Sequence, residues 1–553
     1  MPAVTRRAAA RLLAENKLFA VALVPAVLLR VDAELGYRWQ SWFNDSFTYV
    51  SSAVTMTLNP TRPSGYSVYL RVLEPFHSYA LVTISQHVMG LAVGVMIYAL
   101  ARHRFGTPAW VAVLFSLPVL FDGYEIQLEH LIMADTLFLF LAMAAVTLVL
   151  WWPRPPWWAS LLAGLLLGLS AVVRATGLPL VAVFAVYLVI RFVPSWRHLL
   201  AGVAACVVAF AVPYVAYEGW YDAQHGQFAT NDAMGVFLYS RVMTFADCSQ
   251  LRLPVDLLPL CTTVPPDQRP VAQAYIWTDA SPLARFPAPK FTPQVNKLAE
   301  QFAIKAIEAQ PLAYANTVFD DTVRSFSWSR TVFPNAATYD EYLFGYKSLE
   351  IPPSPYRGYP SPEAYYGQGN PATAVVNPFA GAIRVYERYI YLPGTVYGLI
   401  LLVGLGGIVL GRRSHPGGRS SRMGGSPPPI SPGPQASPVT GGWRGGEALL
   451  PWLSSVALIV VPAATAEFDW RYVLTAAPFG CLAAALAFGR DTAGQRWLAR
   501  RGLAGHDLGS GVTVAGDVPG GTAGRPGGVA GSGLGDSAVE AGHDQRDFAP
   551  DSS

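Results

Sequence analysis

Residues 135–152 read DTLFLFLAMAAVTLVLWW, one carboxylate followed by an uninterrupted apolar run. As a helix, such a run is long enough to cross about 30 Å of hydrocarbon, which takes about 20 residues. The same reading recurs at approximately 17–31, 79–101, 108–121, 157–173, 175–194, 198–218, 389–411, 447–464 and 472–489. A lipid-embedded barrel would need an alternating period of two, and these segments lack it, so helices must satisfy the backbone. Only 14% of the 553 residues are charged and 52% are hydrophobic, against about 25% charged in a soluble domain. The expected fold is an α-helical polytopic membrane protein: a bundle of about ten transmembrane helices with a large extracytoplasmic loop domain.

The first apolar run, Leu18 to Leu29, has no small-residue cleavage site after it and reads as a signal anchor that stays in the protein. Charge placement then gives the orientation. With the N-terminus inside, Arg6, Arg7, Arg11 and Lys17 are cytoplasmic, as are Arg102, Arg104, Arg154, Arg191 and Arg197. So are Arg412, Arg413, Arg419 and Arg422, and finally Arg490, Arg496, Arg500 and Arg501. The opposite short loops are poor in Lys and Arg; Asp122 to Asp135 carries carboxylates and neither cation. This pattern fits the positive-inside rule with both termini cytoplasmic in a multi-pass plasma-membrane protein.

The organisation follows. Residues 1–218 form an N-terminal transmembrane module whose first outer loop is 32–78. Residues 219–388, rich in Pro, Tyr and Trp, form an extracytoplasmic domain, and 389–489 hold the C-terminal transmembrane helices. The cytoplasmic loop 412–446 and the tail 490–553 are dominated by Gly, Pro and Ser and are expected to be disordered. Cys206 and Cys481 fall in apolar spans. Cys248 and Cys261 lie close together in the large loop; an oxidising compartment favours a disulfide between them, and two unpaired thiols is the alternative. A net charge of +3 says little about partners, and no nucleic acid is expected among them.

Ionisable residues at span ends gather on the outer side. Asp45 lies in WFNDSFTY and Arg62 in NPTRPSGYSVYL. Asp122, Glu125, Glu129, His130 and Asp135 lie in FDGYEIQLEHLIMAD; Arg174 lies in VVRATGLP and Arg471 in EFDWRYVLTAAP. Each has a plainer reading: Asp45 as a helix cap, Arg174 and Arg471 snorkelling to head groups, His87 with Gln86 as an interhelical hydrogen-bonding pair. Together, carboxylates and arginines from four loops ask for one shared outer site that holds an anion by Arg and supplies a base by Asp. No HExxH motif, no Cys/His cluster and no P-loop is present. An outer enzyme without cytoplasmic nucleotide chemistry needs an activated substrate already in the membrane, and a lipid-linked donor fits.

These elements resemble the GT-C class of membrane glycosyltransferases that use polyprenyl-phosphate sugars, with protein O-mannosyltransferases and aminoarabinose transferases among its members. The likeness rests on Asp45 with Tyr49, then Arg62-Pro63-Ser64-Gly65-Tyr66, Asp135 opening the fourth span, and Arg471-Tyr472. Ser64 departs from the family's more usual second Pro. FLYSRVMTFADCSQL followed by LPLC is similar to actinobacterial members described as phospholipid-carrier-dependent. The resemblance covers about residues 10–490.

It implies transfer of a sugar from a polyprenyl-phosphate donor to a hydroxyl of a glycan, lipid or protein acceptor at the membrane lipid surface. Asp45 would be the general base of an inverting displacement. Arg62, Arg174, Arg471 and Tyr472 would bind the donor phosphate, while Tyr49, Glu129, His130 and Asp135 would position sugar or acceptor. No protein metal ligands are expected. Asn44-Asp45 carries a single carboxylate, which weakens the case for a tightly bound metal, although a divalent cation stays open as a cofactor. The rival readings are a lipid-linked sugar flippase or transporter, which would favour inverted repeats and broken mid-membrane spans, and a non-catalytic scaffold.

Overall fold

In the computed structural model, residues 14–153, 155–192, 196–279, 281–286, 288–348, 372–411, 446–490 and 492–501 are described. Arg6, Arg7, Arg11 and Arg154, the expected disordered loop at 412–445 and the tail from 502 lie outside them.

The described residues form an α-helical polytopic membrane protein. By length and apolarity, four helices qualify individually as spans, or six when two bent pairs each count as one, and three shorter apolar helices accompany them. The long apolar helices of the first half are α1 (Lys17–Gly36), α4 (Tyr79–Ala99), α5 (Ala109–Phe121), α7 (Ala134–Trp151), α8 (Trp157–Val173), α9 (Leu178–Phe192) and α10 (Trp196–His225). The second half contributes α17 (Gly394–Leu410), α18 (Leu449–Thr465) and α19 (Trp470–Leu486). Helix α19 is the central one: nearly every residue along it is buried, and small residues such as Gly480 and Ala483 let α17 and α18 approach it closely.

Two expectations are corrected by the way helices break. The stretch from Asp122 to His130 is no solvated loop but a buried helix, α6 (Gly123–His130), bent 50° from α5. Asp122 makes the corner: Pro118 and the extended backbone at 122 end α5, and the Asp122 carboxylate then accepts from the N–H of Tyr124 to cap α6. Gly123 is required here, because a Cβ would lie 2.6 Å from the Glu387 Cα. The span expected from 389 starts five residues later, since α16 (Phe379–Tyr389) meets α17 at 59° across Pro393. The tail expected to be disordered from 490 opens with helix α20 (Ala493–Arg500), capped by Thr492, whose apolar Leu498 is buried.

The first outer loop holds a two-residue strand β1 (Tyr37–Arg38), α2 (Asn44–Thr55) and α3 (Gly65–Leu73). Strand β1 pairs antiparallel with β2 (Ala374–Val375), joining this loop to the end of the outer domain. The segment expected as the outer domain, and called so below, has a core of its own. Helices α11 (Met234–Val242) and α13 (Pro293–Ala309) pack Val236, Tyr239, Phe302 and Ala303 together, and the Cys248–Cys261 disulfide closes the segment beside them. Helix α14 (Pro311–Arg324) returns toward the spans. There Arg241 Nη1 donates to Asp321 Oδ2 at 2.7 Å, and the same oxygen accepts from Phe468 N at 3.1 Å. One buried carboxylate thus fastens the outer domain to the loop that leads into α19.

Candidate active site

A cavity of about 590 Å³ opens between the first outer loop, the α8–α9 turn, the outer domain and the loop before α19. Asp45, Tyr49, Arg62, Arg174, Arg471 and Tyr472 all line it. Each is delivered by a separate local device. Asp45 stands in the first turn of α2, a helix started by reciprocal bonds between Phe43 and Ser46. Arg62 follows an Asn59–Thr61 turn, in which Asn59 Oδ1 accepts from Thr61 N at 2.8 Å. Arg174 is the extended residue that ends α8 before the short 3-10 turn Ala175–Gly177. Arg471 starts α19, behind the Asp469 cap.

Charges converge there. Asp45 Oδ1 pairs with Arg62, and Asp45 Oδ2 accepts from Arg471 Nη1 at 2.9 Å. Arg471 Nε also reaches Asp469 Oδ2 at 3.0 Å, and that oxygen accepts from the buried Tyr342 hydroxyl at 2.9 Å. Arg174 is paired with Asp135, which is buried behind the cavity wall. The guanidiniums lie over aromatic faces: Arg62 is 5.6 Å from the centre of Tyr49, and Arg174 is 5.1 Å from that of Tyr472. Three arginines thus share one cavity and are partly neutralised by the chain's own carboxylates.

Burial alone would raise the Asp45 carboxyl. The Arg62 and Arg471 charges outweigh it and hold the group well below the usual carboxylate range. With each Asp45 oxygen turned to a guanidinium, this donor set does not suit the divalent cation that the sequence had left open.

Three of the expected site residues are not in the cavity: Asp135 is buried behind its wall against Arg174, and two lie farther off. Glu129 and His130 do not line the cavity; they are fully buried on α6. Glu129 takes a bidentate grip from Arg30, with Nε and Nη2 at 2.8 and 2.7 Å, and its Oε2 meets His87 Nδ1 at 2.8 Å. His130 Nε2 is 2.8 Å from the Tyr37 carbonyl oxygen. The reason is the bend at Asp122, which folds this polar stretch inward against α1 and α4.

Besides Asp469, two carboxylates at the site were not anticipated. Glu467 lines the cavity, accepts from Gln273 N at 3.0 Å and is pushed up to about 8, by burial first and then by the nearby Asp321 carboxylate. Glu341 accepts from Asn44 N at 3.1 Å and from Asn44 Nδ2 at 2.6 Å, and burial with the Asp45 charge lifts it to about 7. Glu467 stands four residues before Arg471 in EFDWRY, the one signal that could have marked it. Glu341 comes from the irregular part of the outer domain, where no periodicity singles out a residue.

No protein-family model and no curated protein matches the chain. Among solved structures, ArnT from Cupriavidus metallidurans bound to undecaprenyl phosphate is similar over 86% of this chain and 78% of its own, at 13% identity and a TM-score of 0.32. The same protein in the apo state gives 14% identity and a TM-score of 0.32. The S. cerevisiae protein O-mannosyltransferase Pmt1–Pmt2 complex bound to the sugar donor is similar over 44% of this chain, at 15% identity and a TM-score of 0.30. This chain spans 37% of that chain's length. These likenesses are loose and concern helical arrangement alone; the chemistry rests on the residues of the cavity.

Proposed function

We propose that the chain is a membrane glycosyltransferase that moves a sugar from a polyprenyl-phosphate donor to an acceptor hydroxyl at the extracytoplasmic face. The observation that carries this reading is Asp45 lodged between Arg62 and Arg471, with Arg174 on the same wall of the cavity. A lipid phosphate is an anion that arrives from within the membrane. A cluster of guanidiniums at the outer end of a helical bundle is the chemistry that would receive it.

The pairing also suggests how the base is released. A carboxylate held low by two arginines is a weak base. A donor phosphate would claim the same guanidiniums, and Asp45 would then lose its partners and regain affinity for a proton. It would accept the proton of the acceptor hydroxyl as that oxygen attacks the anomeric carbon. The bond from that carbon to the phosphate oxygen breaks, configuration inverts, and polyprenyl phosphate leaves with its charge held by the arginines. The apolar wall made by Val461, Pro462 and Ile276 suits the first isoprene units. The outer domain would recognise the acceptor.

The test is consumption of a panel of polyprenyl-phosphate sugars by purified protein, with acceptor-bearing membrane extract supplied, comparing wild type and Asp45→Asn. Donor consumption by the wild type and not by the variant supports the reading and names the sugar. No consumption of any donor would remove it and favour lipid-linked sugar translocation or a scaffold.

A further inference from the structure

Arg30, Glu34, His87, Glu129 and His130 form a second polar cluster, apart from the cavity, where α1, α4 and α6 meet. We propose that Glu34, His87 and His130 bind a divalent transition-metal ion of the zinc class.

His130 Nε2 lies 2.8 Å from the Tyr37 carbonyl oxygen, which only accepts, so Nε2 carries the hydrogen and Nδ1 is left with its lone pair. His87 Nδ1 lies 2.8 Å from Glu129 Oε2, and Glu129 is gripped by Arg30 as an ionised carboxylate, so His87 Nδ1 donates and Nε2 keeps its lone pair. Those two lone-pair nitrogens face each other at 3.2 Å. Glu34 Oε1 closes the triangle at 3.6 Å from His87 Nε2 and 3.7 Å from His130 Nδ1, and it accepts no hydrogen bond. Three electron-pair donors within 3.7 Å of one another repel unless a positive charge, a metal ion or a proton, sits between them.

The dimensions select the cation. A point equidistant from the corners of this triangle lies about 2.0 Å from each, the length of zinc–imidazole and zinc–carboxylate bonds. Calcium, at about 2.3–2.6 Å with oxygen ligands, fits neither the size nor the nitrogens. The surroundings are those of a metal site too. Each imidazole hands its other N–H to an oxygen acceptor, a carboxylate for His87 and a backbone carbonyl for His130, which fixes ring and tautomer. Gly90 leaves the space for this arrangement: a Cβ there would fall 1.8 Å from Glu129 Oε1.

The ion would tie the outer end of α1 to α4 and α6. Through Tyr37 it would also steady the segment from β1 to α2, which carries Asp45. Ser41 N donates to the His130 carbonyl at 3.0 Å on the same segment. The role is structural, and it does not depend on the transferase reading.

The experiment is elemental analysis of the full-length protein purified in detergent, before and after dialysis against a chelator, with thermal unfolding followed in parallel. Wild type should carry about one zinc per chain, lose unfolding temperature on chelation and regain it with added Zn²⁺. Glu34→Gln should bind Zn²⁺ about 100-fold more weakly or worse, since loss of an outer partner alone costs about 10–100-fold. Its unfolding temperature should not respond to chelator. X-ray absorption of the wild-type ion should report two imidazole nitrogens, which keeps the proposal testable should the variant fail to fold. Wild type that binds Zn²⁺ no more tightly than Glu34→Gln, or that is indifferent to chelation, would overturn the proposal and leave a shared proton at the spot.

Discussion

Arg471 Nη1 donates to Asp45 Oδ2 at 2.9 Å across a sequence separation of 426 residues, so the first outer loop and the last transmembrane helix meet at one ion pair. The pair occupies the position that an anionic ligand would contest. Asp45→Asn should therefore separate two properties. Turnover of a polyprenyl-phosphate sugar should fall about 10²–10⁴-fold, the usual contribution of a general base. Affinity for polyprenyl phosphate itself should rise by about 10- to 100-fold, because a charge-assisted competitor worth about 1.5–3 kcal/mol is gone. Arg471→Ala should weaken that same binding. Kinetics beside calorimetric titration with a short-chain polyprenyl phosphate would check both; binding unchanged in either variant would count against the exchange of anions.

The Arg241–Asp321 pair is a different kind of contact. Both side chains are largely buried, at 2% and 10% exposure, and Asp321 also holds Phe468 N. Asp321→Ala should destabilise by about 3–5 kcal/mol, the cost of stranding a buried charge. The loss should appear as a lower unfolding temperature in detergent and as weaker donor binding, because the Phe468 loop leads directly to Arg471.

Cys248 and Cys261 enclose a short segment, with a sequence separation of 13. Replacing both with Ser should cost about 3 kcal/mol on the chain-entropy scale for a loop of this length. Unfolding of the double variant, compared with wild type under non-reducing conditions, checks this; equal stability would mean the outer domain holds the segment without the bond.

Glu467 sets a pH dependence. Its pKa is pushed up to about 8 from an ordinary value near 4.5. Between those values the folded protein binds a proton that the unfolded chain releases. The associated stability is therefore complete below about pH 4.5 and is lost as pH rises through about 8. Glu467→Gln, which imitates the protonated form, should flatten the decline of unfolding temperature across that range. A wild-type profile as flat as the variant's would place Glu467 in contact with water.

How much of this could be read from the chain alone is clear from particular residues. The spans were legible because apolar length is a property of sequence, and Asp45, Arg62, Arg174 and Arg471 could be grouped because loop alternation places them on one side. Glu129 and His130 were misplaced by the same logic. A polar stretch between two apolar runs has the composition of a loop, and hydropathy cannot show that Asp122 bends it back into the protein. Arg30 was missed because a cation inside an apolar run declares no partner; its partner, Glu129, is 99 positions away. Glu34, His87 and His130 share no spacing that a metal motif would register, since three separate helices bring them together.

The corner at Asp122 has a consequence for how the molecule is made. Its carboxylate caps α6 locally, but its other partners are remote: Arg330 Nη2 at 3.2 Å and Leu392 N at 2.9 Å, 208 and 270 positions downstream. A ribosome feeding the membrane delivers the corner long before either partner exists. The first bent span therefore enters the bilayer with Asp122 Oδ1 capping α6 and Oδ2 without its native partners until residue 392 is synthesised. That corner is finished only after the entire domain between residues 219 and 388 has been made, so its final geometry depends on residues far beyond the helices it joins.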